Sequence, residues 1–365
     1  IAVADLDLDN YISTANMLPS KGGITRSEGL PTVSRTQAFQ SGDILVSNIR
    51  PYFRKIWFAD RDGGCSNDVL VLRAKENCNP VFLYYVLSGD SFFTYATATA
   101  KGTKMPRGDK VAIMQYEVPD FPLSIQVRIS KVLSALDDRI SNNIRVNHHL
   151  EQMAQAIFKS WFVDFEPFGG EMPDDWHVGT LSEIATVTMG QSPGGSSYNE
   201  DGNGTVFYQG RAEFGFRFPT RRLFTTQPKR MAAKGDVLMS VRAPVGDLNV
   251  AFESCCLGRG LAGIQSNSGR QSFILYTMFA LKQQLDMFNG EGTVFGSINK
   301  NDMATLPVLI PSDEVICEFE ELISPMDAAI ESNYTESCNL QVARDALLPR
   351  LMSGELSVAD LGGAK

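Results

Sequence analysis

The sequence contains one thirty-residue segment twice, at residues 133–162 and again at residues 323–352. Six positions are identical at a constant offset of 190: Ser134, Asp137, Ile140, Asn143, Leu150 and Ala156 match Ser324, Asp327, Ile330, Asn333, Leu340 and Ala346. This offset is far longer than the period of a solenoid repeat, which is about 20–50 residues. The repetition therefore predicts two large modules that each end in the same kind of element.

The first copy of the segment has a heptad pattern, because its seam positions are spaced alternately by four and three residues. These positions are Ile129, Leu133, Leu136, Ile140, Asn143, Asn147, Leu150, Ala154, Ile157 and Trp161. No Gly or Pro lies between Ser124 and Phe165, so we predict a helix of roughly 35 residues, about 50 Å long. Its simplest partner is the second copy, in an antiparallel pair. A polar residue in the seam, such as Asn143 or Asn333, fixes the register at some cost in stability.

The segments that precede the two helices also resemble each other. Residues 42–47 resemble 235–240, residues 101–103 resemble 291–293, and Val118-Pro119 resembles Leu306-Pro307. The first of these pairs predicts a turn followed by a buried strand. We therefore predict an α+β protein with two similar αβ domains, two long antiparallel helices that form a coiled-coil spacer, and a pseudo-two-fold internal repeat.

The predicted boundaries follow from these patterns. They are a first domain at 1–122, a central helix at 123–165, a Gly/Pro-rich linker at 166–175, a second domain at 176–311, a second helix at 312–353 and a tail at 354–365. The chain begins with Ile1 and not with Met, so we expect residues to be missing from the N-terminus of the first domain.

The net charge of −9 argues at first against nucleic acid as a partner, but the charges are unevenly distributed. Residues 211–242 carry eight basic residues against two acidic ones, and residues 101–110 carry four against one. Residues 312–345, in the second helix, carry nine acidic residues against one basic residue. A dense basic segment in an acidic chain is typical of a site for a polyanion.

The sequence gives little sign of catalysis or metal binding. Residues 258–263 match Gly-x-Gly-x-x-Gly, but neither a long helix nor a suitably spaced acidic residue follows, so we predict a tight turn between strands. The six cysteines form no Cys-x-x-Cys pair, and we expect free thiols in a cytoplasmic protein. The sequence contains no run of eighteen apolar residues, so we predict no transmembrane helix.

Several of these segments resemble one family, the DNA-specificity subunits of type I restriction–modification enzymes. The resemblance is carried by residues 136–140 and 156–165 in the first helix, by 347–356 at the end of the second, and by Gly235–Gly246 in the second domain. It implies that each αβ domain is a target recognition domain that reads one half of a bipartite, asymmetric DNA site. It also implies a non-catalytic protein whose helices bind two methyltransferase subunits.

The resemblance further implies which molecules take part. S-adenosylmethionine, used for adenine methylation, is expected in the methyltransferase subunits, and ATP and magnesium in a nuclease subunit that cleaves unmodified DNA. No cofactor is expected on this chain. The candidate DNA contacts in the first domain are Arg50, Lys101, Lys104 and Arg107. Those in the second domain are Gln191, Gln209, Arg211, Arg217, Arg221, Arg222, Arg242 and Thr293.

Two alternatives remain open on the sequence. A coiled-coil scaffold protein without a role on DNA would account for the helices, but not for two similar domains with basic loops. An enzyme that binds a nucleotide at Gly258–Gly263 would account for that motif alone.

An alternating stripe of Phe214, Phe216 and Phe218 in a core-facing strand is a further possibility, with the arginines between them on the opposite face.

Overall fold

The computed structural model describes residues 1–290 and 296–358. The chain divides into two compact units. Unit 1 is Ile1–Asn142 together with the chain from Glu336 onward, and unit 2 is Asn143–Thr335. Both boundaries fall inside long helices, so each unit contains part of each helix.

The described part of unit 1 contains two three-stranded sheets. Its strands are β1 (Tyr11–Ile12), β2 (Gln37–Phe39), β3 (Ile44–Ser47), β4 (Ile56–Phe58), β5 (Gly63–Cys65) and β6 (Val69–Leu72). Its helices are α1 (Pro80–Ser88), α2 (Asp90–Ala98), α3 (Lys110–Ile113) and the first half of α4 (Leu123–Phe162). The strand orders are β1-β5-β2 and β4-β3-β6.

The described part of unit 2 contains larger sheets. Its strands are β7 (His177–Thr180), β8 (Ala185–Met189), β9 (Tyr198–Asn199), β10 (Thr205–Tyr208), β11 (Phe224–Thr225), β12 (Met231–Ala232), β13 (Val237–Ser240), β14 (Leu248–Val250), β15 (Cys255–Leu257), β16 (Leu261–Ser266) and β17 (Pro307–Ile310). Its short helices are α5 (Leu181–Ile184), α6 (Gln271–Ala280), α7 (Lys282–Asp286) and α8 (Lys300–Ala304), which precede α9 (Asp313–Met352). The strand orders are β12-β15-β10-β11-β9, β14-β13-β16-β8 and β17-β7.

Six strands of each unit correspond in order and direction. In unit 1, β5 lies between the parallel strand β1 and the antiparallel strand β2, as β15 lies between β10 and β12 in unit 2. Likewise, β3 pairs antiparallel with β4 and β6, as β13 does with β14 and β16. The predicted internal repeat is therefore also a repeat of sheet topology. Unit 2 adds β7, β8, β9, β11 and β17, at positions where the described residues of unit 1 form no strand.

The Gly-Asp motif before each central strand forms the same turn in both units. Gly42 and Gly235 have φ angles of 89° and 91°, in the left-handed region that favours glycine. The carboxylates of Asp43 and Asp236 each accept a hydrogen bond from the backbone N–H three residues earlier, at 2.8 and 2.7 Å. The strands that follow, β3 and β13, are buried throughout. The predicted turn and buried strand are thus confirmed in both units.

The two copies of the repeated segment lie in α4 and α9, which are 40 residues long each. In unit 2, the Asn147 side chain of α4 donates to the Ile330 carbonyl of α9 at 3.1 Å. Further along α4, the Phe158 ring lies 5.6 Å from the ring of Phe319. As residue numbers rise along α4 they fall along α9, so the paired segments are antiparallel.

The segments of α4 and α9 in unit 1 are antiparallel as well. Arg139 donates to Glu336 at 3.0 Å, and the earlier residue Asp137 accepts from the later residue Arg344 at 2.6 Å. The predicted antiparallel pairing is confirmed in each unit. Acidic residues in the first turn of α9 and basic residues in the last turns of both helices also suit the helix dipole.

The seam between the helices contains hydrogen-bonded asparagines among apolar side chains. All ten predicted seam positions of α4 are buried or half-buried. The Asn333 side chain donates to the Asn147 side chain at 2.9 Å, and the Asn143 side chain donates to the Asn333 carbonyl at 3.4 Å. Asn143 and Asn333 occupy equivalent positions of the repeat, so the two copies meet at matching residues. Directional bonds of this kind favour one register over its neighbours.

A tyrosine–aspartate hydrogen bond joins a short helix to a long helix in each unit. Tyr85 of α1 donates to Asp137 of α4 at 2.6 Å, and Tyr276 of α6 donates to Asp327 of α9 at 2.9 Å. Burial raises the pKa of both tyrosines, so each hydroxyl keeps the proton that it donates. Asp137 and Asp327 are identical residues of the repeat, and this shared contact explains why both copies carry the carboxylate.

We predict that Asn147→Ala lowers the free energy of unfolding by about 1–3 kcal/mol, because it removes two buried hydrogen bonds and leaves a gap in the seam. Urea unfolding of the purified chain measures the change. Ser141→Ala, on the exposed face of the same helix, is the matched control and should change stability by less than about 0.5 kcal/mol. Equal effects of the two variants would contradict a role for Asn147 in the seam.

Candidate nucleic-acid interface

One edge of unit 2 is formed by the ends of strands from its five-stranded sheet. Because β10 and β15 are parallel, both end at this edge, where the Gly258 N–H donates to the Tyr208 carbonyl at 2.8 Å. Gln209 follows β10 directly. The antiparallel strand β12 begins at the same edge, since the Leu257 N–H donates to the Arg230 carbonyl at 2.8 Å.

The four-stranded sheet of unit 2 brings two further loops to this edge. Strands β8 and β13 both pair antiparallel with β16, so both end where β16 begins. The Gln191 N–H, after β8, donates to the Leu257 carbonyl at 2.9 Å. The Val241 N–H, after β13, donates to the Gly260 carbonyl at 2.9 Å, and Arg242 comes next. We call these converging loops the basic edge of unit 2; its exposed polar side chains are Gln191, Gln209, Arg230, Arg242 and Arg259.

Glycines allow the loops of the basic edge to approach each other closely. A Cβ atom on Gly190 would lie 2.1 Å from the carbonyl oxygen of Gly258, and one on Gly258 would lie 2.7 Å from the Cα of Gln209. Real side chains do not tolerate such distances. The predicted tight turn between strands is confirmed, since Gly258–Gly260 connects β15 to β16. A strand and not a helix follows it, so the dinucleotide-binding alternative lacks the helix that it requires.

Three of the predicted arginines of unit 2, Arg211, Arg221 and Arg222, are exposed and bind carboxylates. Their partners are Asp247, Glu253 and Glu213, respectively. The pairs of Arg211 and Arg221 lie at the surface and are weak, typically below about 1 kcal/mol, so a phosphate can compete for these two arginines. Glu213 is buried, so Arg222 neutralises a carboxylate that water does not reach. Arg242 is also exposed and forms no ion pair with residues 1–290 or 296–358. Thr293 lies outside the described residues.

Arg217 has a different environment, with a side-chain exposure of only 4%. Its guanidinium donates to Glu151, Asp327 and Tyr276, each at 3.0 Å. Burial acts to lower the pKa of Arg217, but Tyr276 and the two carboxylates outweigh it and raise the pKa, so the side chain is charged. This placement contradicts the predicted DNA contact by Arg217, because a cation enclosed by two carboxylates inside unit 2 does not reach a surface.

The segment around Arg217 is not the predicted strand. A short 3-10 turn at Arg211–Glu213 leads into a loop with no strand before β11. In this loop the Phe216 ring lies 4.0 Å from the ring of His148, and the Phe218 ring lies 4.9 Å from that of Tyr334. The alternating stripe is therefore wrong. Phe216, Arg217 and Phe218 together hold the loop against the unit 2 segments of α4 and α9.

The predicted basic residues of unit 1 come together in one group of loops. Lys101 and Arg107 exchange two backbone hydrogen bonds, of 2.8 and 2.9 Å, which close a loop that contains Lys104. The Arg50 N–H donates to the Pro106 carbonyl at 2.8 Å, which places the half-buried Arg50 against the same loop. The structure thus brings together all four residues that the sequence suggested for this domain.

The charges in this loop group are only partly neutralised. Lys101 and Arg107 are exposed and pair with Asp109 at 2.5 Å and with Asp68 at 3.2 Å. Lys104 is exposed and forms no ion pair within the described ranges. The ammonium group of Lys101, with the N–H of the α3 N-terminus, lowers the pKa of Asp109, so this carboxylate stays ionised.

The loop after the short helices has the same backbone contacts in both units. In unit 1 the Gly108 N–H donates to the Asn48 carbonyl at 2.9 Å. In unit 2 the Ile298 N–H donates to the Val241 carbonyl at 3.1 Å, and the Ala243 N–H donates to the Gly296 carbonyl at 3.0 Å. The residues after β3 and β13 are therefore held in equivalent positions.

Comparison with known proteins decides the family of this chain. Residues 10–152 and 173–336 match the family model of the type I restriction modification DNA specificity domain. The putative type I restriction enzyme MjaX specificity subunit of Methanocaldococcus jannaschii is 32% identical over 307 residues, which cover 80% of this chain and 72% of that protein. The chain belongs to the type I restriction–modification specificity-subunit family.

Two further comparisons cover more of the chain. The type I restriction enzyme HindI specificity subunit of Haemophilus influenzae is 24% identical over 437 residues, which cover 95% of this chain and 94% of that protein. The crystal structure of a type I restriction–modification S subunit from M. genitalium has a TM-score of 0.59 and 17% identity, and covers 96% and 95% of the two chains. This last similarity concerns the fold alone. The predicted family, fold class and role as a non-catalytic specificity subunit are confirmed.

Sequence reasoning missed two exposed residues of this specificity subunit. Arg259 lies between Gly258 and Gly260 at the basic edge, and Asn67 lies in the corresponding turn of unit 1, between β5 and β6. A signal for Arg259 was present, because a single arginine between two glycines is well suited to project from a turn. As a nucleotide fingerprint, however, the motif depends on its glycines and not on the residue between them.

No group of three or more His, Cys, Asp or Glu side chains in residues 1–290 and 296–358 is arranged to hold a metal ion. In the same ranges, no helix combines the length and the apolar character that crossing a bilayer requires. All six cysteines are free thiols.

We predict that Arg217→Ala lowers the free energy of unfolding by about 3–5 kcal/mol, because it leaves two half-buried carboxylates without their buried cation. Urea unfolding measures the loss. Arg221→Ala removes an exposed arginine with one carboxylate partner, and its loss should stay below about 1 kcal/mol. Similar losses in the two variants would contradict the structural role of Arg217.

The loss in Arg217→Ala should also depend on pH. Burial raises the pKa of Glu151, while Arg217 opposes this shift, so the variant should raise that pKa further. A carboxyl group whose pKa is higher in the folded state destabilises the fold as pH rises above its unfolded pKa, about 4.3 for Glu. The deficit of the variant relative to the natural chain should therefore be larger at about pH 8 than at about pH 5. A deficit independent of pH would contradict this account.

Proposed function

We propose that this specificity subunit reads a bipartite, asymmetric DNA site, with unit 1 recognising one half and unit 2 the other. The observation that supports this most is the common strand framework, which presents different side chains in each unit. At the end of β10, unit 2 presents Gln209, whereas at the end of the equivalent strand β1, unit 1 presents Ser13. Equal frameworks with unequal loops suit two different half-sites.

The distribution of charge supports DNA as the ligand of these loops. The chain as a whole carries a net charge of −9, yet exposed cations gather at the basic edge of unit 2 and in the loops of unit 1. Lysine and arginine side chains that neutralise DNA phosphates release the counterions bound to the DNA, which favours binding. Arginine can also bind base edges. Exposed amides such as those of Gln191 and Gln209 add groups that can pair with adenine.

We further propose that the long helices bind two methyltransferase subunits. Glu314, Glu318 and Glu321 of α9 are exposed and share one helix face, at spacings of four and three residues. Other acidic residues of α9 already have partners within unit 2. Glu320 accepts hydrogen bonds from the first turn of α6 at 3.1 and 3.0 Å, and Asp327 binds Arg217. The three glutamates form no ion pair with the described residues, which leaves their charge available to a partner.

In this proposal the chemistry belongs to the partner subunits. The methyltransferase subunits would bind S-adenosylmethionine and methylate adenine. A nuclease and translocase subunit, using ATP and magnesium, would join for cleavage of unmodified DNA. This chain would select the sequence and hold the partners in position, without a cofactor of its own.

We predict that co-expression with its methyltransferase subunit, in a host that lacks adenine methylation, produces a split methylated motif throughout the host genome. Sequencing that detects modified adenine measures the outcome. The motif should disappear when this chain is omitted. A soluble complex that methylates nothing would contradict the proposed role and favour a scaffold protein.

The proposed docking face gives a separate prediction. Reversing its charge by Glu314→Lys, Glu318→Lys and Glu321→Lys together should abolish co-purification with the methyltransferase subunit at low salt, where charge attraction is strongest. The matched control reverses three exposed charges of the linker, by Glu171→Lys, Asp174→Lys and Asp175→Lys, and should leave co-purification intact. Retention of the partner by both triple variants would place the docking face elsewhere.

A further inference from the structure

The turn between β15 and β16 is built to project one side chain. A Cβ atom on Gly258 would lie 2.7 Å from the Cα of Gln209, and one on Gly260 would lie 2.9 Å from the Gln209 carbonyl oxygen. The backbone on both sides of Arg259 is therefore packed against the neighbouring loop. The Arg259 N–H donates to the Ser192 hydroxyl at 3.2 Å, which fixes the residue from a third direction.

The side chain of Arg259 is exposed although its backbone is fixed. It forms no ion pair and no side-chain hydrogen bond with any residue of the described ranges. Gln191 and Gln209, also exposed, belong to the two loops against which the turn packs. The backbone of Arg259 is already fixed, so little main-chain conformational freedom is lost when its charged side chain and the flanking amides bind a ligand.

Unit 1 has the corresponding turn, with a different residue at its centre. The Ser66 N–H donates to the Ile12 carbonyl at 2.8 Å, and the Asn48 N–H donates to the Asp68 carbonyl at 2.8 Å. The turn of unit 2 is held by the same two backbone contacts, from the Gly258 N–H to the Tyr208 carbonyl and from the Val241 N–H to the Gly260 carbonyl. Asn67, the central residue, is exposed, and its side chain forms no hydrogen bond with the described residues. The two units thus present an arginine and an asparagine from one backbone frame.

We infer that Arg259 and Asn67 are specificity-determining residues that each read one base in the major groove. Arginine forks onto O6 and N7 of guanine, and asparagine pairs with N6 and N7 of adenine. Arg259 would then read a guanine in the half-site of unit 2, and Asn67 an adenine in the half-site of unit 1. This inference rests on the proposed function and adds the bases that these two turns select.

The pairing of these residues favours base recognition over a phosphate contact. A phosphate anchor at this position would favour a cation in both units, because counterion release rewards positive charge. Asn67 is neutral, and its amide has both a donor and an acceptor, which a base edge can use together. The difference between the two turns is therefore in hydrogen-bonding pattern and not only in charge.

The experiment compares the methylated motifs produced by the complete complex with the natural chain, Arg259→Ala, Arg259→Lys and Asn67→Ala. For Arg259→Ala we expect one guanine of one half-site to lose its preference, by roughly ten- to a hundredfold, with the other half unchanged. Arg259→Lys keeps the charge without the fork and should relax the same position. Asn67→Ala should relax one adenine of the other half-site. Co-purification of each variant with the methyltransferase subunit shows that the complex is intact.

The outcomes separate this inference from the proposed function. An unchanged motif in all variants, or a uniform decrease at every site, would overturn base reading by these turns while the natural complex still methylates a split motif. A uniform decrease restored by Arg259→Lys would identify a phosphate contact instead. No methylation by the natural complex would overturn the proposed function, and the inference with it.

Discussion

The antiparallel pairing of α4 with α9 is the constraint on which both units depend. An amphipathic helix of 40 residues cannot bury its apolar face alone, and here each helix buries it against the other within each unit. The αβ parts then pack on this pair: α1 contacts it in unit 1, and α6 in unit 2. The buried asparagines fix the register at which the two helices meet. A shift in that register would displace the helix surfaces on which the αβ parts of both units pack.

The equivalent aspartates Asp137 and Asp327 show how a shared framework accommodates two different domains. Each accepts a hydrogen bond from a tyrosine of the nearby short helix and binds one arginine. In unit 1 that arginine is Arg344, a residue of α9 itself. In unit 2 it is Arg217, a loop residue of the αβ part. The same carboxylate therefore stabilises the helix pair in one unit and holds a loop of the αβ part in the other.

The fold could be predicted from the sequence because its strongest signals are periodic and repeated. The heptad seam marked the long helices, and the Gly-Asp motif marked the central strands, since both patterns reflect local geometry. The loop group of Arg50, Lys101 and Arg107 also followed from repeated motifs. Arg217 could not be placed in this way, because its partners Glu151 and Asp327 are 66 and 110 residues distant along the chain. Sequence pattern shows that an arginine is present, but not whether carboxylates enclose it.

The buried cluster around Arg217 has a consequence for how this subunit can change its specificity in evolution. A loop that replaces residues 214–219 must supply a cation at the same place, or else Glu151 must be lost together with it. At position 154 of α4, which corresponds to Arg344 in the repeat, stands a buried alanine, so the helix offers no substitute cation. Among homologues, residues 151 and 217 should therefore covary, while the turn that carries Arg259 remains free to diversify.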